Sequence, residues 1–385
     1  MIPYGHQDIS EDDIQAVVEV LRSDFLTQGP QVPRFEQVVA EQCGAKHVVA
    51  VNSATSALHI ACLALGLGDG DVLWTTPITF VASANCALYC GAKIDFVDID
   101  ACTGNLSPAR LEEKLRQAER DGTLPKIVVA VHLSGLPCDM FAIHELAKRY
   151  GFSVIEDASH AIGATYRGEA VGAGRYSDIT VFSFHPVKVV TTGEGGIAVT
   201  NSPELAAHME LLRSHGITRA PELMTQKADG PWYYQQIALG FNYRMTDIQA
   251  ALGSSQMQRL RTFIARREEL ANQYDAEFAG LSVTLPSRDA DKRSAWHLYV
   301  IRLPADAGRS RREVFDAMRA AGIGVNVHYI PVHLQPYYQH MGFHVGMFPE
   351  AERYYAEAIS LPIFPGLKDE LQSQVINELK KILKP

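Results

Sequence analysis

The sequence predicts an α/β fold, with a mostly parallel central sheet in a large domain and a smaller C-terminal α+β domain. Between residues 36 and 200, short apolar segments alternate with helical patterns, as in chains that build parallel sheets. Several of these segments are continuously apolar, which is typical of strands that are covered on both faces. The chain has 385 residues, too many for one simple core, so we expect two domains.

The elements follow from the local patterns. Residues 8–22 predict an amphipathic helix with Ser10 as N-cap and a stripe of Ile14, Val17, Val18 and Leu21. A loop follows over 24–33. Strands are predicted at 47–51, 72–76, 93–99, 126–133, 152–157, 178–184 and 195–200, and helices at 56–66, 80–92, 107–119 and 140–151.

The C-terminal part is predicted to begin with a connecting helix. Residues 203–230 are polar, with a loop predicted between Pro221 and Pro231, and a long helical pattern over 246–278 connects the two domains. We therefore place the large domain at residues 1–245 and the smaller one at 246–385. The smaller domain is expected to hold strands at 296–302 and 323–328, a helix at 310–321 and C-terminal helices from residue 349.

Composition excludes several classes of protein. The net charge is −9, which argues against nucleic acid, a partner that favours a basic surface. The N-terminus is polar and acidic, unlike a signal peptide, and no apolar run reaches the about 18 residues that a membrane span needs. The six cysteines show no CxxC pair or zinc-type spacing. We expect a cytoplasmic protein with reduced thiols, no membrane partner and no metal site.

Residues 53–56 are small and polar and lie between a predicted strand and a predicted helix. Free backbone N–H groups and the helix dipole favour a phosphate at such a turn. The side chains of Ser53, Ala54 and Thr55 are small enough to let an anion approach. The alternative is a simple N-cap without a ligand.

Two acids, Glu156 and Asp157, end the strand predicted at 152–157. Ligands of α/β sheets collect at the carboxyl ends of strands, and neighbouring strand residues point to opposite faces. One acid could therefore face a ligand while the other pairs within the structure. An acid that faces a pyridine nitrogen would keep it protonated. The alternative is that both acids form salt bridges.

A lysine, Lys188, lies in an otherwise uncharged segment after the strand that ends near Ser183 and His185. Burial would lower the pKa of this amine and make it a nucleophile for Schiff-base chemistry. The alternative is an exposed loop lysine. The following Gly193–Gly196 segment could serve turn geometry alone, with Glu194 incidental.

Two further segments carry polar groups. Asn242, Tyr243 and Arg244 precede a helix and either cap it or extend into a site, such as one across a dimer interface. His328 and His333 lie in a proline-containing loop at a spacing that does not suggest a metal site. Such a loop suits recognition of a sugar or uracil ring, or else it only covers the core.

Together and in this order, the NSATSA turn, EDASH, SFHPVK, GEGG and GFNYRM resemble the DegT/StrS group of sugar aminotransferases. These are pyridoxal-phosphate (PLP) enzymes of fold type I, with a three-layer α/β/α large domain. The resemblance covers nearly the whole chain. It implies that Lys188 carries the cofactor as a Schiff base, that Asp157 pairs with the pyridine nitrogen and that His160 lies beside the ring.

The resemblance also implies the remaining contacts. Ala54, Thr55 and Ser183 would hold the cofactor phosphate, and Phe80 would stack on its ring. Asn242 would come from the neighbouring subunit, which implies a homodimer with shared active sites. The segments that contact the sugar nucleotide in relatives include Tyr4, Thr27, His328 and Tyr329 of this chain.

Within the family, residues 1–36 and VHLSGLPCDM (131–140) resemble the subgroup of pseudaminic acid biosynthesis. That resemblance implies transfer of an amino group from L-glutamate to carbon 4 of a UDP-linked L-series 4-keto-6-deoxy-N-acetylhexosamine. One alternative is an aminotransferase of the same family that acts on another substrate: a D-series 4-keto sugar, a 3-keto sugar or an inosose. The others are a non-catalytic binding protein and a PLP sugar dehydratase, against which Lys188 argues because those enzymes replace this lysine. A dinucleotide-binding fold is not supported, because the turn at 53–56 lacks G-x-G-x-x-G.

Overall fold

The computed structural model describes residues 1–305 and 307–384. Within them the strands are β1 (His47–Val51), β2 (Val72–Thr75), β3 (Lys93–Phe96), β4 (Ile127–Val131), β5 (Ser153–Asp157), β6 (Thr165–Tyr166), β7 (Glu169–Ala170), β8 (Ile179–Ser183), β9 (Gly196–Thr200), β10 (Ile217–Thr218), β11 (Gln235–Gln236), β12 (Lys292–Arg293), β13 (Tyr299–Arg302) and β14 (Ala358–Leu361).

The helices flank these strands on both sides. They are α1 (Glu11–Leu21), α2 (Gln31–Cys43), α3 (Ala54–Ala64), α4 (Ala82–Tyr89), α5 (Pro108–Asp121), α6 (Met140–Tyr150), α7 (Pro203–Arg213), α8 (Asp247–Gln258), α9 (Leu260–Phe278), α10 (Arg311–Ala320), α11 (Pro336–Gln339), α12 (Pro349–Glu357) and α13 (Asp369–Leu383).

Seven strands form the central sheet in the order β1-β9-β8-β5-β4-β2-β3. The run from β8 to β3 is parallel throughout, and β9 lies antiparallel between β8 and β1. The prediction of a mostly parallel sheet is confirmed, and each of the seven predicted strands lies within a few residues of the observed one. The antiparallel β9 returns directly from β8, so the segment 184–195 is a hairpin loop at the carboxyl end of β8.

The sheet is buried on both faces, as the continuous apolar strands indicated. On one face, residues such as Val129 and Ile155 pack against α3 and α4 in one core. On the other face, Val128 and Val154 pack against α5 and α6. A separate core lies in the C-terminal part, where α9, α10 and α13 surround β13 and β14.

Several details of the secondary structure differ from the prediction. Helix α7 was not predicted; it precedes the loop predicted between Pro221 and Pro231 and forms because Ser202 caps a helix whose first residue is a proline. The helix predicted over 246–278 is divided at Arg259 into α8 and α9. The strand predicted at 323–328 makes only isolated bridges, at Ile323 and Asn326, and β14 was not predicted.

The N-terminal segment packs against the C-terminal part of the chain. Ile2 pairs with Ile323 and lies in the C-terminal core, while the Ile363 N–H donates to the Tyr4 carbonyl at 3.0 Å. This contact places Tyr4 beside the loop that carries His328, at the carboxyl ends of the parallel strands. The domain division at residue 245 stays a prediction.

Helix α1 begins as predicted, because Ser10 and Asp13 form a capping box. Asp13 is fully buried and bonds Ser255, Gln256 and Arg259. This polar contact packs α1 against α8 and leaves the predicted apolar stripe only partly buried, with Val17 and Val18 half-buried. Its members Ile14 and Leu21 are exposed in the single chain.

Candidate active site

A cavity of about 300 Å³ opens at the carboxyl ends of the parallel strands. Strands β5 and β8, the first turn of α3, the hairpin loop and the His328 loop all contribute to its wall. Ten of the predicted site residues line it together: Tyr4, Ala54, Thr55, Phe80, Asp157, His160, Ser183, Lys188 and, from the C-terminal part, His328 and Tyr329.

Lys188 lies in the hairpin loop between β8 and β9. Ser183 pairs with Gly196 at the base of this loop, and the Lys188 N–H donates to the His185 carbonyl at 2.9 Å, which closes a turn. Burial lowers the pKa of the Lys188 amine to about 8, although the Asp157 carboxylate acts to raise it. A substantial fraction of the amine is therefore neutral near physiological pH, as a nucleophile requires.

The two acids at the end of β5 point to opposite faces, as predicted. The Asp157 carboxylate faces the cavity and accepts hydrogen bonds from the Ser83 hydroxyl at 2.6 Å and the Ser159 N–H at 3.1 Å. Glu156 faces away and accepts from the Ser177 hydroxyl at 2.5 Å and lies 2.7 Å from His132. Asp157 is thus the acid that is available to a ligand.

The turn before α3 provides free backbone donors. Ser53 caps the helix, and the N–H groups of Ala54 and Thr55 belong to its first turn, where they have no partner within the helix. A Cβ atom at position 196 would lie 2.3 Å from the Ser53 carbonyl carbon and 2.4 Å from the Ala54 nitrogen. Only glycine lets β9 approach so closely, and this approach places the turn beside Ser183.

His160 is held in one tautomer beside Asp157. The Ser134 N–H donates to Nδ1 at 3.2 Å, so the proton of the neutral ring lies on Nε2, which donates to the Tyr329 hydroxyl at 3.2 Å. Burial, with the nearby Lys188 and His328, holds the pKa of His160 well below its usual range. The buried His297 ring packs at 4.4 Å on its other side.

The His328 loop closes the cavity from the C-terminal part. The Nδ1 atom of His328 lies 2.7 Å from the Ser360 hydroxyl, and burial lowers the pKa of this histidine to about 4. Its ring lies 5.5 Å from that of Tyr4. Phe80 lies on the opposite side, largely exposed, with its ring 6.4 Å from that of Tyr329.

The single chain does not bring two predicted residues into the cavity. Thr27 is exposed and pairs with Thr246 through its backbone. Asn242 is also exposed and pairs with Ser214. The cavity of one chain includes neither residue, and both assignments stay predictions.

The residues that support the site were not predicted from the sequence. Ser83 follows Phe80 by one helical turn, so the helical pattern over 80–92 could have indicated that it shares a face with the cavity. Ser134 and His297 come from distant segments, and no local pattern marks them. Among the described residues, no group of three His, Cys, Asp or Glu side chains is arranged to hold a metal ion, and no helix is long and apolar enough to cross a bilayer.

Comparison with known proteins gives the family. The model of the DegT/DnrJ/EryC1/StrS aminotransferase family matches residues 7–380. The chain belongs to this family. It is a PLP-dependent aminotransferase, and its sequence and fold resemble those of characterised members over nearly their whole length.

Several relatives illustrate this. The chain is 40% identical over 387 residues to the spore coat polysaccharide biosynthesis protein SpsC of Bacillus subtilis, covering 100% of this chain and 97% of SpsC. It is 38% identical over 390 residues to the UDP-4-amino-4,6-dideoxy-N-acetyl-beta-L-altrosamine transaminase of Campylobacter jejuni, covering 100% and 99%. The structure of Helicobacter pylori PseC, an aminotransferase of pseudaminic acid biosynthesis, matches with a TM-score of 0.91, 32% identity and 99% coverage of both chains.

The residues around the cavity fit the cofactor. A helix N-terminus with free N–H groups suits the phosphate of PLP, and the buried Asp157 carboxylate suits a protonated pyridine nitrogen. The amine of Lys188, with its lowered pKa, suits a covalent bond to an aldehyde. These three groups line the same cavity.

Proposed function

We propose that this enzyme transfers the amino group of L-glutamate to carbon 4 of UDP-2-acetamido-2,6-dideoxy-beta-L-arabino-hex-4-ulose. The product would be UDP-4-amino-4,6-dideoxy-N-acetyl-beta-L-altrosamine, a step of pseudaminic acid biosynthesis. The observation that carries the catalytic part is the Lys188 amine with its lowered pKa, in one cavity with Asp157 and the α3 N-terminus. The substrate is supported by the names of full-length relatives that are 38% identical.

In this proposal the residues of the chain have separate roles. PLP supplies a ring that withdraws electrons from the carbon next to the amino group. Lys188 would hold the cofactor covalently and, once displaced by an amine, would move a proton to and from the reacting carbon. Because its pKa is about 8, the amine can both accept and release that proton near neutral pH.

The other cofactor contacts would fix the ring. Asp157 would keep the pyridine nitrogen protonated, and its two bonds from Ser83 and Ser159 hold the carboxylate in place. Ala54, Thr55 and Ser183 would bind the phosphate. Release of 2-oxoglutarate before the keto-sugar binds would give ping-pong kinetics.

The cofactor face and the sugar site would be completed by aromatic and imidazole side chains. Phe80 would stack on the cofactor ring and His160 would lie beside it. For the sugar nucleotide we propose contacts from Tyr4, His328 and Tyr329, which line the cavity, and from Thr27. The exposed ring of Phe80 and the exposed Thr27 would both become covered on assembly.

We also propose a homodimer with shared active sites. The cavity wall includes Lys188 and three histidines but no arginine, which is a weak cation set for a nucleotide diphosphate. A second subunit could supply Asn242 and more positive charge. Several large apolar side chains in the described residues are exposed and would suit such an interface: Ile14, Leu21, Phe25, Leu26, Leu223, Trp232, Tyr234, Ile237 and Leu239.

Product analysis tests the reaction. The purified enzyme is given L-glutamate and the L-series 4-keto sugar, and the amino-sugar is identified by mass spectrometry and NMR. A D-series 4-keto sugar and a 3-keto sugar are the matched comparisons. A preference for either comparison substrate would contradict the proposed substrate while leaving the aminotransferase chemistry intact.

A second candidate substrate is favoured by the 40% identity to SpsC. In that case the keto-sugar would be a precursor of a polysaccharide, and the carbon that receives the amine could differ. The same product analysis separates the two candidates, because the position of the new amine is read directly from the NMR spectrum.

A further inference from the structure

The GEGG turn (residues 193–196) carries a single side chain, and that side chain faces the cavity. Gly193 has φ +81°, a conformation that favours glycine. A Cβ atom at Gly195 would lie 2.2 Å from the Thr192 hydroxyl oxygen, and one at Gly196 would meet the phosphate-binding turn. The backbone conformation at Gly193 and the close contacts at Gly195 and Gly196 therefore leave Glu194 as the residue of the turn that carries a side chain.

The backbone of this turn is fixed from two sides. The Glu194 carbonyl accepts hydrogen bonds from the Thr192 hydroxyl at 2.7 Å and from the Gln249 side-chain amide at 2.8 Å. Gln249 belongs to the capping box of α8, and the Phe184 N–H donates to the Gly195 carbonyl at 3.0 Å. The Glu194 side chain thus projects from a rigid support, as a recognition group should.

The Glu194 carboxylate has little to bind within the chain. Its side chain is 61% exposed, and the half-exposed His185 lies beside it, with Nε2 at 4.0 Å from Glu194 Oε1. At this distance the pair is not a hydrogen bond. The carboxylate therefore keeps its acceptor capacity for a ligand in the cavity.

A carboxylate at this position restricts the kind of ligand group that it can face. The amino donor has two carboxylates and the sugar nucleotide has a diphosphate, and each of these would be repelled. Neutral N–H and O–H donors are attracted instead, because hydrogen bonds to a charged acceptor are roughly twice as strong as those between neutral groups. The part of the substrates that is rich in such donors is the sugar ring.

We propose that Glu194 determines specificity in the sugar half of the reaction. Its carboxylate accepts a hydrogen bond from a neutral N–H or O–H group on the ring of the keto-sugar and disfavours sugars that carry an acidic group there. His185 lies beside Glu194, with 4.0 Å between Nε2 and Oε1. This inference rests on the proposed sugar aminotransferase function and adds a residue that selects the sugar.

The test measures the two half-reactions separately on the holoenzyme. Glutamate bleaches the visible band of the bound cofactor, and the keto-sugar restores it, so each step has its own rate. Glu194→Ala should lower kcat/KM of the sugar step by about 10- to 100-fold, the effect of losing one hydrogen bond to a charged group. The glutamate step should change by less than about threefold, because no donor of glutamate depends on Glu194.

Two further variants keep the outcome interpretable. Glu194→Gln retains an acceptor oxygen without the charge, and we expect a sugar-step loss of about 3- to 10-fold, between that of Glu194→Ala and the wild type. Glu119→Ala removes an exposed carboxylate on α5 and should leave both steps unchanged. Equal losses in both steps for Glu194→Ala, or no loss in the sugar step, would overturn the inference.

The source of the donor is found with a substrate analogue. If the acetamido N–H at carbon 2 is the donor, an analogue without that group should react equally fast with wild type and Glu194→Ala. If the difference between them persists, a ring hydroxyl is the donor. A wild-type enzyme that accepts glutamate but no keto-sugar would refute the proposed function, whereas an active wild type with an unaffected Glu194→Ala refutes only the role of Glu194.

Discussion

The amine of Lys188 in the cofactor-free enzyme should titrate about two pH units below an ordinary lysine. Its pKa is lowered to about 8 by burial, against roughly 10.4 for a lysine in water. At pH 7 the neutral fraction is then about 9% instead of about 0.04%, a difference of roughly 200-fold. Because only the neutral amine attacks an electrophile, Lys188 should react far faster than exposed lysines.

The assay is competitive labelling of the cofactor-free enzyme. A small acylating reagent is applied between pH 6 and 11, and the modified peptides are quantified by mass spectrometry, with the exposed Lys46 as internal reference. The labelling rate of Lys188 should reach half its maximum near pH 8. In Asp157→Asn this midpoint should fall further, because the Asp157 carboxylate acts to raise the pKa of the amine.

Two results would refute the reasoning. A Lys188 midpoint above pH 10 would show that burial does not act on this amine. A midpoint that rises in Asp157→Asn would show that the carboxylate is not the neighbouring charge that favours the ammonium form.

Three further changes test the site. Lys188→Ala should abolish turnover. Borohydride reduction of the wild type should leave an adduct of the cofactor's mass on the peptide that contains Lys188, and the variant should show no such adduct. Lys188→Met should raise the melting temperature of the cofactor-free protein. The increase should be largest below pH 8, because the wild type then buries a charged amine, and it should vanish as the pH rises towards the ordinary lysine pKa of about 10.4. Gly196→Ala should weaken cofactor binding at least about tenfold in a fluorescence titration, since its Cβ would lie 2.3 Å from the Ser53 carbonyl carbon. The control is Gly5→Ala, because no atom lies within 4 Å of a Cβ at that position. Equal cofactor binding by both variants would contradict the role of the close approach.

Much of the site could be predicted because its residues follow strands. Asp157 and Ser183 each end a strand that is apolar enough to be recognised from sequence alone, and parallel strands bring their carboxyl ends to one edge. Lys188 follows within the next loop. The positions of these residues along the chain therefore carried most of the information about where they meet.

Other features could not be predicted because they depend on contacts between distant segments. The buried Asp13 bonds to α8 and orients α1, so Ile14 and Leu21 of the predicted apolar stripe are exposed. His297 packs on His160 from a segment more than a hundred residues away. Neither contact leaves a periodic pattern in the sequence.

The α/β class, the seven sheet strands and the order of the chemical groups follow from the amino-acid sequence, since local apolar periodicity and strand ends are properties of short segments. Three-dimensional packing sets which acid of the pair Glu156–Asp157 faces the cavity, how far burial lowers the pKa of Lys188, and that Glu194 projects into the same cavity. Each of these depends on what surrounds a side chain in three dimensions, and desolvation and charge act through that surrounding space rather than along the chain.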